Sequence, residues 1–223
     1  MMKCKTCRGL CIKKGCQNRR QKYYCKICKL YQQKTYTYRL CTKADEETIV
    51  KLNNIGVGIS GIASFTGLSK SNVVNKIKEI SRKVIQPVLS EARQKYEVDE
   101  MHTFISSKKD ACYITYAINK ITKQVIDLVV GSRTKETIGK VIGNLKALDP
   151  KRIYTDKLNV YPALIRKSLH VTSAYGINHI ERFNLTLRTH LKRLNRKTIC
   201  FSKSKEMLEN CLRIFINWRN TSY

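Results

Sequence analysis

The sequence predicts an α+β protein built in several parts. Two Cys-x2-Cys pairs lie in an opening segment that has no acidic residue, three helical periods come after Thr42, and strand and helix patterns then alternate towards the carboxyl end. At 223 residues the chain can bury a sizeable core. Its 44 Lys and Arg stand against 16 Asp and Glu, a formal charge of +28 that favours a polyanion and the release of its counterions. Nucleic acid is the expected partner. A membrane is not expected, because the longest weakly polar run, Ile55 to Phe65, carries three glycines and is too short to span a bilayer. The first forty residues are dense in Lys and Arg and lack the apolar segment of a signal peptide, so the expected location is the cytoplasm.

Residues 1–42 form the first expected domain. Cys4-x2-Cys7 and Cys25-x2-Cys28, with seventeen residues between the pairs, have the spacing of two knuckles closing one tetrahedral zinc site. So small and charged a segment has little apolar burial to fold on, and the metal would supply most of its folding free energy. Cys11 and Cys16 lie between the pairs and leave the ligand choice open. Tyr23, Tyr24, Tyr31, Tyr36 and Tyr38 interleave with the basic residues, to pack around the knuckles or to stack on bases.

Residues 43–88 form the second. Thr42-x-x-Asp45 is a helix start that leads into Ile49, Val50 and Leu52, and a short helix is expected over 60–66. Gly67-Leu68 then turns the chain, and Ser69 caps a third helix whose Val73, Val74, Ile77 and Ile80 face inward. This is a helix-turn-helix pattern. It presents Lys70, Ser71, Asn72, Asn75 and Lys76 on the front of the recognition helix, where they could meet base edges and phosphates. Pro87 ends or kinks the helix that carries Val84 and Ile85, and 90–95 reads as a linker.

Residues 94–223 read as strands over 96–105, 111–118 and 124–130, a helix over 134–148, a strand over 152–155, a helix over 161–168 and a strand over 170–172. Helices around Glu181 and over 203–218 complete the order, which is compatible with a ribonuclease-H-like α/β fold. The Glu181 helix places Glu181, Asn184, Arg188, Lys192 and Asn195 on one face at 100° per residue. A phosphodiester lying along that face would meet a carboxylate, then a guanidinium two turns on, with Lys192 beyond. Asp99 in the first strand, Asp156 at the end of the fourth and Glu181 can converge as oxygen ligands for hard divalent cations. Such ions suit in-line phosphodiester cleavage or transfer. Glu100 competes with Asp99, but strand alternation admits only one of the two to a shared face.

The strings VDEMHTF, YTDKLNVY and HIERFNLTLRTHLKRLNRKTICFSKS resemble those of the insertion-sequence-one transposases, a DDE-type family, and the zinc ribbon and helix-turn-helix are similar to that family's arrangement. The resemblance implies that Asp99, Asp156 and Glu181 are the catalytic triad, with Arg188 the basic residue after the glutamate. It further implies a ribonuclease-H-like catalytic domain, action on terminal inverted repeats and target DNA, magnesium-dependent cutting and joining, and a homo-oligomer on DNA. The family usually has Trp where this chain has His102 and Leu158. The competing readings are a non-catalytic DNA-binding regulator and a metal-dependent nuclease or resolvase.

Overall fold

The computed structural model describes residues 2–17, 19–35, 39–85, 88, 92–172 and 176–221. The expectations at Tyr36, Tyr38, Pro87 and the start of the linker at 90–95 lie outside the described residues. The chain divides into two compact units, Met1–Leu40 and Cys41–Tyr223.

The first unit is an antiparallel sheet of β1 (Met2–Lys3), β2 (Leu10–Gln17), β3 (Arg20–Cys25) and β4 (Leu30–Gln33), in that order. Among its described residues the buried side chains are Cys4, Cys11, Cys25 and Gln32, while Leu10, Ile12, Ile27 and Leu30 remain exposed. Tyrosine packing is seen on this sheet: the Tyr24 and Tyr31 rings lie 4.9 Å apart, and the Lys22 ammonium sits 4.4 Å over the Tyr31 ring.

The second unit begins with three helices, α1 (Lys43–Asn54), α2 (Ile59–Thr66) and α3 (Lys70–Arg82). Thr42 and Asp45 close a reciprocal capping box on α1. Gly67 takes the left-handed conformation after α2 (φ 69°), and the Ser69 hydroxyl accepts from the Asn72 N–H at 3.1 Å to start α3. The inward residues Ile49, Ile62, Val73 and Ile77 are fully buried, in one cluster with Met207, Cys211 and Ile214 of the last helix, α7 (Lys205–Thr221). The three helices therefore share their core with the carboxyl-terminal helix.

The main sheet has the order β7 (Val125–Gly131), β6 (Ala111–Asn119), β5 (Lys95–Phe104), β8 (Arg152–Thr155), β9 (His170–Thr172). The first three strands form an antiparallel meander, and β5–β8 and β8–β9 pair in parallel. One face packs Tyr96, Val98 and Ile126 on α4 (Lys135–Ala147) and α5 (Tyr161–Leu164); the other packs Tyr116 and Leu128 on α6 (Asn178–His190) and α7. This is the succession of elements read from the sequence, with three corrections, the first being that α3 ends at Arg82, before Val84 and Ile85. The helix expected over 161–168 is one turn long, because Ile165 goes extended to bury its side chain. The Glu181 helix stops at His190. Leu191 is extended (φ −109°, ψ 96°) and Lys192–Leu194 form a 3-10 turn, which buries Leu191 and Leu194 but takes Lys192 and Asn195 off the face carrying Glu181.

Candidate active site

Strand β5 delivers Asp99 to the α6 face of the sheet. Continuing the β5–β8 register two residues past Glu97–Tyr154 brings Asp156, just after the end of β8, beside it. One oxygen each from Asp99, Glu100 and Asp156 lie within 4.8 Å of one another. The expectation that alternation keeps Glu100 away from the site is thereby corrected. Alternation itself holds, since Glu100 turns to the α5 face and accepts a hydrogen bond from the Tyr161 hydroxyl. Asp156, however, stands beyond the last paired residue of β8, at the edge where carboxylates from both faces can reach it.

The surroundings of the three acids are uneven. Burial pushes the Asp99 carboxyl up, and the charges of Asp156 and Glu181 add to that, while the Glu100 N–H and Asn184 oppose it. Asn184 of α6 donates to Asp99 Oδ2 at 3.0 Å and accepts from the Tyr116 hydroxyl at 2.8 Å, so the orientation of its amide is fixed from both ends. Burial also pushes the Glu100 carboxyl up, against the bonds from Tyr161 and Arg133. Arg133, in the loop after β7, donates to Glu100 at 3.1 Å and comes within 3.8 Å of Asp156. The Leu158 N–H donates to Asp156 Oδ1 at 2.9 Å. Mutually repelling, partly desolvated carboxylates with spare lone pairs form a donor set that fits a hard divalent cation.

Glu181 lies in the first turn of α6 and is exposed; its oxygens are not among the three that come within 4.8 Å. Arg188, two turns further on, donates to the Leu194 carbonyl at 2.8 Å and the His102 carbonyl at 3.2 Å, which commits two of its five donors to holding β5 and the 3-10 turn together. His102 packs edge-on to Phe104 and Tyr113. Reasoning from sequence missed Arg133 and Tyr161, which no spacing links to an acid. It gave no role to Asn184, although that residue is one turn from Glu181.

In the first unit the Sγ atoms of Cys4, Cys7, Cys25 and Cys28 lie within 4.8 Å of one another. Cys11 is buried beside them, paired across the strands with Cys25, but does not belong to that foursome. The Cys7 N–H holds the Cys4 thiol down at about 5, whereas the neighbouring sulfurs, Cys7 first, push Cys28 up to about 12. Gln32 Nε2 donates to Cys4 Sγ at 2.9 Å, the kind of bond that orients a metal-binding thiolate. Four sulfurs that cannot all ionise without a cation between them suit zinc.

On α3, Lys70, Ser71 and Asn75 are exposed and Asn72 is half-buried. Lys76 is held by Glu46 at 2.9 Å and Glu79 at 2.8 Å, which raises its pKa, so its charge is already answered within the protein. Among the described residues no helix is long and apolar enough to cross a membrane.

Residues 94–222 match the family model described as IS1 transposase. Among curated proteins, the chain is 38% identical over 120 residues to the insertion element iso-IS1n protein InsB of Shigella dysenteriae, covering 54% of this chain and 92% of that one. It is 35% identical over 121 residues to the insertion element IS1 4 protein InsB of Escherichia coli (strain K12), covering 54% of this chain and 72% of that one. Among solved structures, the HTLV-2 integrase catalytic core domain in complex with magnesium aligns over 56% of this chain and 84% of that one, at 14% identity and a TM-score of 0.39, too distant a likeness to carry a function.

Proposed function

This chain belongs to the IS1 transposase family, and on that premise we propose that it binds the terminal inverted repeats of an insertion sequence and catalyses metal-dependent strand cleavage and transfer. The observation that carries the reading is the convergence of Asp99 and Asp156 within the stretch matched to the family. In this reading Asp99, Asp156 and Glu181 hold Mg²⁺ or Mn²⁺. When bound, the ion would supply Lewis-acid stabilisation of the phosphoryl oxygens during in-line displacement. Asn184 fixes the Asp99 carboxylate, and the donors of Arg188 not spent on carbonyls meet a DNA phosphate.

Three parts share the work: a zinc ribbon over 1–42, a helix-turn-helix over 43–88 and a ribonuclease-H-like catalytic domain over 94–223. Zinc sits between Cys4, Cys7, Cys25 and Cys28; Lys70, Ser71, Asn72 and Asn75 read double-stranded DNA, Lys192 adds a phosphate contact, and the protein works as a homo-oligomer on DNA in the cytoplasm.

The close approach of Glu100 to Asp99 and Asp156 favours a second assignment, in which Glu100 is the third ligand. A magnesium-dependent cleavage and joining assay on terminal-repeat DNA separates the two. Glu181→Gln is expected to lower cleavage by about 10²–10³-fold with little change in end binding, and Glu100→Gln to lower it by less than about tenfold. A reversed ranking hands the third position to Glu100. Absence of cleavage by the wild type with either metal would leave the regulator reading in its stead.

A further inference from the structure

Glu97 is a carboxylate for which the metal chemistry has no use. It lies two residues before Asp99 on β5, on the same face of the sheet, with its side chain fully buried. Three donors reach it: the Ile180 N–H at 2.9 Å, His179 Nδ1 at 2.6 Å and the Lys120 ammonium at 3.1 Å. Lys120 also donates to the Gly176 carbonyl and lies 4.3 Å over the Tyr154 ring. Lys123 sits 2.7 Å from His179 Nε2, so that nitrogen accepts and Nδ1 carries the proton given to Glu97.

Helix α6 needs such a group. Its cap position is Ile177, which has no side-chain acceptor, and among the described residues no local side chain caps its first turn. The carboxylate of Glu97 supplies the missing acceptor from a neighbouring strand, and its negative charge suits a helix N-terminus. The residue after Ile180 is Glu181, and one turn on Asn184 binds Asp99. Strand β5 thus grips the start of α6 twice, with residues 97 and 99.

We infer that Glu97 is a positioning residue, which fixes where Glu181 stands relative to Asp99 by capping the helix that carries it. The inference rests on the reading of Glu181 as a metal ligand. Its test combines amide hydrogen exchange with Mn²⁺ binding monitored by water-proton relaxation, on Glu97→Gln, Glu97→Asp, Glu181→Gln and the double variant Glu97→Gln/Glu181→Gln. Glu97→Gln keeps the shape and should quicken exchange of the Ile180 and Glu181 amides by about tenfold or more, while amides of β6 and α7 keep their protection. Glu97→Asp keeps the charge on a shorter stem and should fall between. Mn²⁺ should bind about tenfold more weakly to Glu97→Gln than to the wild type, and no more weakly to the double variant than to Glu181→Gln, since a residue acting through Glu181 has nothing left to act on. Unchanged exchange at Ile180 would overturn the inference, as would an equal further loss of Mn²⁺ binding in the Glu181→Gln background. A cleavage assay on the same set keeps the two readings apart. A wild type that binds Mn²⁺ with the expected pattern yet never cuts DNA would sink the transposase chemistry and leave Glu97 in its role.

Discussion

A carboxylate taken out of water must be answered by donors or by a cation, and the buried acids of the main sheet are answered in different ways. Glu97 has three donors, Glu100 has Tyr161 and Arg133, and Asp99 has Asn184 together with two acidic neighbours. Asp127 on β7 is a further buried acid. Burial pushes its carboxyl up, with the Asn144 amide at 2.8 Å and the Leu128 N–H opposing. The folded pKa therefore lies above the unfolded one, so what this group contributes to stability is fully present below the unfolded pKa and is lost as pH rises through the folded pKa. Asp127→Asn should raise the melting temperature at pH 7, and the gain should shrink towards zero as the pH is lowered to 4. Thermal melts at the two pH values check this; a variant no more stable than wild type at pH 7 would refute it. From the sequence Asp99 and Asp156 were legible, because a strand pattern and a strand end fixed their places. Glu100 was misjudged, because alternation tells which face a side chain takes and not how far off the end of the ladder a partner stands.

At the scale of elements, legibility tracked the caps. Thr42 with Asp45, and Ser69 before Asn72, are local signals with local causes, and α1 and α3 begin where those residues say. The end of α6 had no such signal. Leu187, Leu191 and Leu194 keep a helical spacing, yet the last two reach the core from an extended residue and a 3-10 turn, so tertiary packing overrode the period. The turn after α1 carries another long-range constraint. Gly56 has φ 80°, and a Cβ there would lie 2.2 Å from the carbonyl oxygen of His190, the last residue of α6. Gly56→Ala should cost about 2–4 kcal/mol, from backbone strain and from displacing the end of α6. Gly143, exposed in the middle of α4 with open space around it, should show the opposite sign: Gly143→Ala is expected to stabilise by about 0.5–1 kcal/mol. Urea unfolding of the pair gives both numbers, and a neutral Gly56→Ala would mean that the approach to His190 is not needed.

The whole molecule joins two units that are stabilised by different means. Cys41–Tyr223 closes apolar clusters on both faces of its sheet and a third under its first three helices. Among the described residues Met1–Leu40 has almost no apolar core, since three of its four fully or nearly buried side chains are cysteines and its aliphatic residues face water. Spacing in the sequence was enough to pick out Cys4, Cys7, Cys25 and Cys28, because metal geometry is local to two turns; that α7 would complete the core of α1–α3 was invisible, because the partners lie more than a hundred residues apart. The difference between the units leads to a prediction with two readouts. A strong chelator should melt the sheet of Met1–Leu40 while Cys41–Tyr223 keeps its melting temperature, because a metal would supply most of the small unit's folding free energy. The same unit carries twelve Lys or Arg and no acid, out of a net charge of +28 for the chain, so it should account for a large part of the salt dependence of DNA binding. A chain lacking residues 1–40 should bind DNA with a shallower slope of log affinity against log salt, each lost phosphate contact reducing it by about 0.9. The chelated full chain keeps its basic residues but loses their arrangement, and its slope should fall between those of the metal-loaded and truncated proteins. Protection of Met1–Leu40 from protease that survives chelation would refute the metal's role, and an unchanged slope on truncation would assign the DNA-binding charge to Cys41–Tyr223 alone.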